Sequence, residues 1–334
     1  MSRLEGRLGW TLLFVIGLAF PFIAQRSYML TLMSSAYIFA FATLGLNLIT
    51  GYTGQYNLAH GSFMAVGAYT VGILTVDHHV PFWLAFVCAG AITAVLGLLV
   101  GLVSLRLKGH YFSIFTLCVG YIMYLVIEKW DGLTHGVSDI IGIPAPPPLG
   151  PVSFDSPRAL YYLVFAFLVA GTWIMHRIVN SLLGRTFMAI RNSDTLAQSI
   201  GINLMRNKVL AFILSVIYAG LAGGLYAGAV RFLGPDLAGV DHTFDMTMYM
   251  LVGGMGTLLG PLLGSLVVPW LTQYLQFLQE FRFIVFGPIL ILLVIFVPQG
   301  IVGLYYARKA RRASHRARSA GARPAPAAPG ERRA

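Results

Sequence analysis

Long apolar runs separated by short polar breaks make up most of the chain from residue 8 to residue 299. Ten runs stand out: 8–24, 28–50, 58–76, 81–105, 111–127, 159–178, 209–230, 244–259, 261–279 and 283–299. About 20 apolar residues, at about 1.5 Å of rise each, carry a helix across about 30 Å of hydrocarbon. The pattern therefore predicts an all-α fold, a polytopic membrane helix bundle of about ten transmembrane helices. The run 244–259 is short and broken by glycines, so nine or ten crossings is the number the pattern supports.

Composition agrees. Of the 334 residues 57% are hydrophobic and 10% charged, with a mean hydropathy of +0.76. Soluble domains carry about 25% charged residues, so most of this chain belongs in lipid. The net charge of +11 would suit a nucleic-acid binder if it formed a patch. It does not. With ten spans and the N-terminus inside, the inner segments hold Arg3, Arg7, Arg106, Lys108, Arg177, Arg185, Arg191, Arg206, Lys208 and nine basic residues near the C-terminus, 18 of the 23 Lys and Arg. Arg26, Lys129, Arg158, Arg231 and Arg282 remain outside. Positive residues resist translocation, so both termini are expected in the cytoplasm and no nucleic-acid partner is implied. Residues 8–24 follow two arginines, yet no small-x-small site precedes Gln25, which favours an uncleaved first span over a signal peptide. Cys88 and Cys118 both fall within spans and read as buried apolar thiols.

The expected organisation is a transmembrane domain over 1–304 and a disordered basic tail over 305–334 that is free to lie against anionic lipid headgroups. An outer loop, 128–158, carries Asp131, Asp139, Asp155 and a proline run that favours an extended path. A second outer loop, 231–243, contains Gly234-Pro235, Asp236 and Asp241. The inner loop 180–208 is a polar, basic island that reads as helix, turn, helix. A helix from about Asp194 to Ile200 would start on Ser193 or Asp194 and stop at Gly201. Its Leu196, Ala197 and Ile200 offer a small apolar face to a soluble partner, with Arg185 and Arg191 alongside. A surface helix lying on headgroups is the competing reading.

Polar residues inside apolar runs concentrate in 44–70, where Asn47, Gln55, Asn57 and His60 are punctuated by Gly45, Gly51, Gly54, Gly61 and Gly67. Such groups are tolerated where they face protein or water. Two readings stand: a helix break that lines a solute path, or caps that knit the bundle. Small residues four apart (Gly220, Gly224, Gly228; Gly256, Gly260, Gly264) allow close helix packing. The stretch 253–264 lacks the Gly-Lys-Ser/Thr ending of a phosphate loop. No span carries a carboxylate near its centre, which disfavours a proton-coupled carrier. No HExxH, Gly-x-Ser-x-Gly or paired aspartates appear, so neither a catalytic residue nor a metal site is expected and the chain reads as a non-enzyme.

Three segments in order, 45–70 (GLNLITGYTGQYNLAHGSFMAVGAYT), 105–144 (LRLKGHYFSIFTLCVGYIMYL…WDGLTHGVSDIIGIP) and 183–201 (LGRTFMAIRNSDTLAQSIG), resemble the LivM-type permease of branched-chain amino acid ABC importers. The resemblance covers about 30–300. It implies a type II importer-like bundle, a second similar permease, two cytoplasmic ATP-binding subunits that use ATP and Mg²⁺, and an extracytoplasmic solute-binding protein, all in a bacterial inner membrane. No cofactor is implied for this chain itself. Ala197 and Gly201 match the alanine and glycine of the family's coupling motif; Thr195 stands where an acidic residue often opens it, with Asp194 beside it. His135 and Asp139 stand where the family usually shows glycine. Related permeases serve urea and short amides, so cargo does not follow.

Overall fold

The structure, a computed structural model, describes residues 14, 17–22, 26–107, 109–148, 153–154, 156–274 and 300. The expected span 283–299 and the tail 305–334 lie outside the described residues. Of the first span, residues 17–22 are helical and lie against the sixth, with the Tyr161 hydroxyl donating to Gly17 O at 2.6 Å.

The helices in chain order are α1 (Ser27–Leu46, running on as a π-helical turn Asn47–Tyr52), α2 (His60–Val76), α3 (Phe82–Ser104), α4 (His110–Lys129), the short α5 (Asp131–Thr134), α6 (Pro157–Val179), α7 (Leu182–Asn192), α8 (Asp194–Ser199), α9 (Leu204–Val230), α10 (Val240–Gly253) and α11 (Leu259–Tyr274). Five are long and apolar enough to cross a membrane unaided: α1 with its π turn, α3, α4, α6 and α9. Two strands of two residues each, β1 (Ile140–Ile141) and β2 (Phe232–Leu233), pair antiparallel with Ile140 opposite Leu233. The all-α expectation missed this clasp, which forms because the two outer loops come together.

α1 and α9 form the centre. α9 packs on α1, α2 and α3, and α1 also meets α6 and α11. α3 and α4 turn Leu84, Val87, Val95, Leu99, Ile114 and Ile122 outward, the inside-out arrangement of a lipid-facing helix. α2 and α9 touch backbone to backbone: a Cβ on Gly223 would run into the Met64 carbonyl oxygen, and one on Gly67 into Gly220. Gly220 and Gly228 on α9 face Thr93 and Phe82 of α3. The four-residue glycine spacing is thus packing, not chemistry.

Loop contacts sort the chain into two ends. Trp83 Nε1 donates to Pro147 O at 3.3 Å, His135 Nε2 lies 3.0 Å from Asp77 Oδ2, and β1 joins β2; all these come from loops expected outside. Segments around 51–57, 182–203 and 254–258 meet at the other end. These are the outer and inner ends, labelled after the sides expected from the sequence.

Two segments differ from the simple span-and-loop expectation. α2 has 17 residues, about 25 Å of helix, so it starts within the bundle, not at its inner edge. Residues 235–238 form a 3-10 turn that does not stay outside. Ser62 Oγ, at the start of α2, lies within donating distance of both Ala238 O (3.0 Å) and Gly120 O (3.1 Å), and Gly120 is halfway along α4. The segment after β2 therefore dips deep into the bundle, and α10 starts there. That shortens the crossing expected at 244–259 to a helix ending at Gly253.

Replacing Gly223 by Val should separate α2 from α9 at a contact where only backbone could yield. The expected cost is about 3 kcal/mol or more, read as a fall in the melting temperature of the purified protein; an unchanged melting temperature would refute the close approach.

Candidate functional site

The inner end is built from helix breaks. α1 ends by widening into the π turn, a winding often found at functional positions. Gly54 at φ +74° reverses the chain, the Gln55 N–H closes back on Ile49 O at 3.1 Å, and Thr50 Oγ1 donates to Gln55 O at 3.1 Å. A left-handed glycine is the usual way to end a helix with its last carbonyls satisfied. Asn57 Oδ1 then accepts from Ala59 N at 3.0 Å, and the His60 imidazole, wholly buried, bonds Ala42 O through Nε2 at 2.9 Å. The Gly61 N–H donates to Thr243 Oγ1 at 2.8 Å and the Leu58 N–H to Thr116 Oγ1 at 3.1 Å.

Asn47 is the centre of this end. Its Nδ2 donates to Thr257 O and its Oδ1 accepts from Gly256 N, both at 2.8 Å. One amide thus satisfies a donor and an acceptor in the turn between α10 and α11 from a helix more than 200 residues earlier. Gly51 and Gly256 are glycines of necessity here: a Cβ on Gly51 would hit Asn47 Oδ1, and one on Gly256 would hit the Arg191 guanidinium. The two glycine-broken regions that look unrelated along the chain, 51–61 and 253–264, meet at this point.

The loop 180–208 joins them. It is a series of capped helices: Ser181 accepts from Leu183 N at 3.2 Å, Ser193 from Leu196 N at 3.3 Å, and Asn203 from Arg206 N at 3.0 Å, opening α7, α8 and α9. Each cap takes an N–H that the helix itself cannot satisfy. α7 is pinned inward by Gly184, Phe187 and Ile190. Arg191, near its C-terminus, donates through Nη1 to Gly51 O, while its stem packs under Gly54. Two features that the sequence shows as separate, the inner loop and the polar break, are therefore one structure.

α8 begins on Ser193, as its spacing suggests, and stops before Gly201 at φ +85°. Leu196 and Ile200 are 64% and 68% exposed, but Ala197 is 1% exposed. The expected apolar face consequently loses Ala197: positions 196 and 200 lie one turn apart on the outer side, and 197 turns under them. Arg185 is exposed. Asp194 does not face outward freely; its Oδ2 takes a hydrogen bond from Lys208 Nζ at 2.6 Å, with the lysine side chain 6% exposed and the aspartate 32%. The sequence counts Lys208 among the inner basic residues but gives it no partner, because it looks like one more positive charge at a span border. Its signal is that a lone lysine opens an apolar run with an acid fourteen residues earlier.

Of the residues considered for the path, Asn47, Asn57 and His60 are buried and bonded within the bundle, and Gln55 is half-buried, engaged through its main chain. At the outer end, His135, Gly136 and Asp139 have φ of 63°, 56° and 53°. The glycine conformation is kept at the two positions where the chain departs from the glycines of the family it resembles. His135 uses its added side chain to reach Asp77. Asp139 lies against Gly234, where a Cβ would come within 2.8 Å of Oδ1.

A family model described as branched-chain amino acid transport system / permease component matches residues 28–296. The chain is 28% identical over 323 residues to the high-affinity branched-chain amino acid transport system permease protein LivM of Salmonella typhimurium, covering 90% of this chain and 76% of that one. It is 29% identical over 272 residues to the autoinducer 2 import system permease protein LsrC of Klebsiella pneumoniae, with 78% and 73% covered. It is 24% identical over 309 residues to the LivH permease protein of Salmonella typhimurium, with 85% and 96% covered. No solved structure matches. The chain belongs to the branched-chain amino acid transport permease family and is a multi-pass membrane protein.

Breaking a buried pair costs more when the sealed partner is left charged, about 3 kcal/mol or more. Asp194→Asn, which strands the Lys208 ammonium, should therefore lower the melting temperature more than Lys208→Met, which leaves a carboxylate still reaching water. Equal losses would contradict the buried geometry.

Proposed function

We propose that this chain is the permease subunit of an ABC importer of the bacterial inner membrane, forming the pathway for branched-chain or other small hydrophobic amino acids. A second, similar permease completes the pathway, two cytoplasmic ATPases drive it, and an extracytoplasmic binding protein delivers the solute. ATP and Mg²⁺ are used by the partner ATPases. This chain is not itself an enzyme.

One observation carries the reading. The α7–α8 pair turns Leu196 and Ile200 outward, while Arg191 of the same pair holds the main chain of the α1–α2 break at Gly51. A partner that seats on the outer side and shifts it would pull on the π turn through a charged hydrogen bond, the stronger kind. From Gly51 the displacement reaches Asn47 and the α10–α11 turn. Asp194, Ala197 and Gly201 set the shape of the pair, with Arg185 exposed on α7: Asp194 ties it to α9, Ala197 fills the space beneath, and Gly201 ends it. Asn47, Gln55, Asn57 and His60 hold the break that opening of the path would have to remodel. The LivM and LivH relatives are named as permeases of high-affinity branched-chain amino acid systems, which supports the cargo class. The LsrC relative imports autoinducer 2, so cargo is the part most exposed to test.

Reconstituted vesicles separate the possibilities. Leu196→Glu with Ile200→Glu should weaken ATPase docking at least about tenfold, since each fully buried Leu or Ile contributes about 1.5–3 kcal/mol. Arg191→Ala should keep the ATPases bound and active but lower leucine uptake by about tenfold or more. Uptake by the permeases without ATPases would overturn the reading in favour of a self-sufficient carrier. Uptake of urea or short amides in place of leucine would overturn the cargo.

A further inference from the structure

The sequence places Asp236 in an outer loop, but the folded chain carries that segment inward. The turn 235–238 descends until Ala238 meets Ser62 and the middle of α4. Asp236 goes with it. The β1–β2 pairing brings Asp139, the residue before Ile140, beside Gly234, so that the glycine hydrogen faces the Asp139 carboxylate. Two carboxylates from separate loops are thus gathered at one place.

A buried hydroxyl completes the place. Tyr69 on α2 is 2% exposed, and its hydroxyl has no hydrogen-bond partner. Gly72, three residues on along α2, faces Leu233 and Ile140, whose chain neighbours are Gly234 and Asp139, and Ser62, seven residues back, bonds Ala238, so Tyr69 stands at the level between these contacts, where the chain passes through Asp236. Tyr69 lies seven residues before the end of α2 at Val76, about 10 Å below the outer helix end. Unpaired buried hydroxyls are rare and ask for an explanation.

Among the described residues neither acid is ion-paired, whereas Lys129 pairs with Glu128, His135 with Asp77 and Lys208 with Asp194. Asp139 also holds φ +53°, a left-handed conformation that costs a non-glycine residue free energy and tends to be kept at functional sites. Two carboxylates without an ion-pair partner and an unpartnered buried hydroxyl have the chemistry to suit a positive ligand.

We propose that Asp139, Asp236 and the Tyr69 hydroxyl form a subsite that receives the ammonium group of the passing solute. It rests on the amino-acid reading above and names the chemistry that reading leaves open. An ammonium has three N–H donors, and the two carboxylates and the phenolic oxygen are three acceptors. The depth suits a small solute better than a side chain reaching in from a docked protein. Asp236 is exposed, so water competes for the ligand and release is not blocked.

The test is leucine uptake by the assembled importer in vesicles, expressed as leucine moved per ATP hydrolysed. Asp236→Asn and Asp139→Gly should each lower this ratio by about tenfold, the scale of a lost charge-assisted hydrogen bond, and Tyr69→Phe should lower it severalfold. Asp139→Gly relieves the left-handed strain, so its melting temperature should stay level or rise while transport falls, a combination that a structural role would not produce. Variants that keep the wild-type ratio would overturn the subsite and leave the importer reading intact. Loss of affinity for the solute-binding protein at an unchanged ratio would overturn it in favour of a docking contact. A wild-type assembly that moves no amine-bearing solute would bring down both.

Discussion

Inside a bilayer no water is available to satisfy a broken helix, so each interruption at membrane depth has to be closed by the protein itself. The inner end of this permease follows from that constraint. The π turn at Asn47–Tyr52, the return at Gly54 and the turn at 254–258 expose main-chain groups that regular helix would have paired. Asn47 answers Gly256 and Thr257, Arg191 answers Gly51, Thr116 answers Leu58, and Thr243 answers Gly61. Away from the breaks, hydroxyls such as Ser34, Thr70 and Thr93 bond their own helix one turn back, whereas at the breaks Asn47, Thr116 and Thr243 serve the backbone of another segment.

Because those bonds cross between distant segments, the breaks are mechanically joined. The side chains of Asn47 and Arg191 and the glycines Gly51 and Gly256 join α1, α7 and the α10–α11 turn. Around this node the α2–α9 contact is backbone on backbone and has little room to deform. Movement of α7 is therefore directed to the π turn and the glycine turns, where winding can change without opening a cavity. The half-buried Lys208–Asp194 pair fastens α8 to the second turn of α9 and makes the exposed pair Leu196 and Ile200 part of a firm surface.

The outer end is built differently. The inner node pairs the main-chain groups of its breaks while leaving Asn57 Nδ2 and His60 Nδ1 unpartnered, whereas at the outer end Asp139 and Asp236 lack cationic partners among the described residues and Tyr69 lacks a hydrogen bond. His135 and Asp139 hold glycine conformations with side chains attached. One end of the bundle ties distant segments together through main-chain contacts, and the other holds carboxylates without a counter-charge among the described residues.

Much of this was legible in the order of residues alone. The apolar runs place α1, α3, α4, α6 and α9 to within a few residues, because crossing a hydrocarbon slab demands length and composition. Ser193 and Gly201 announce α8 because capping and left-handed termination are local. The three motifs that resemble the permease family lie inside the matched region 28–296. Residue order could not show that Ala197 turns inward, that the segment at 235–238 plunges to the level of Gly120, or that Asn47 reaches Gly256. Nor could it pair Ile140 with Leu233 or bring Asp139 towards Tyr69. Spans and caps are decided by a residue's immediate neighbours and the solvent around it. Which break receives which side chain depends on how the helices pack, and that is settled only when the whole bundle closes.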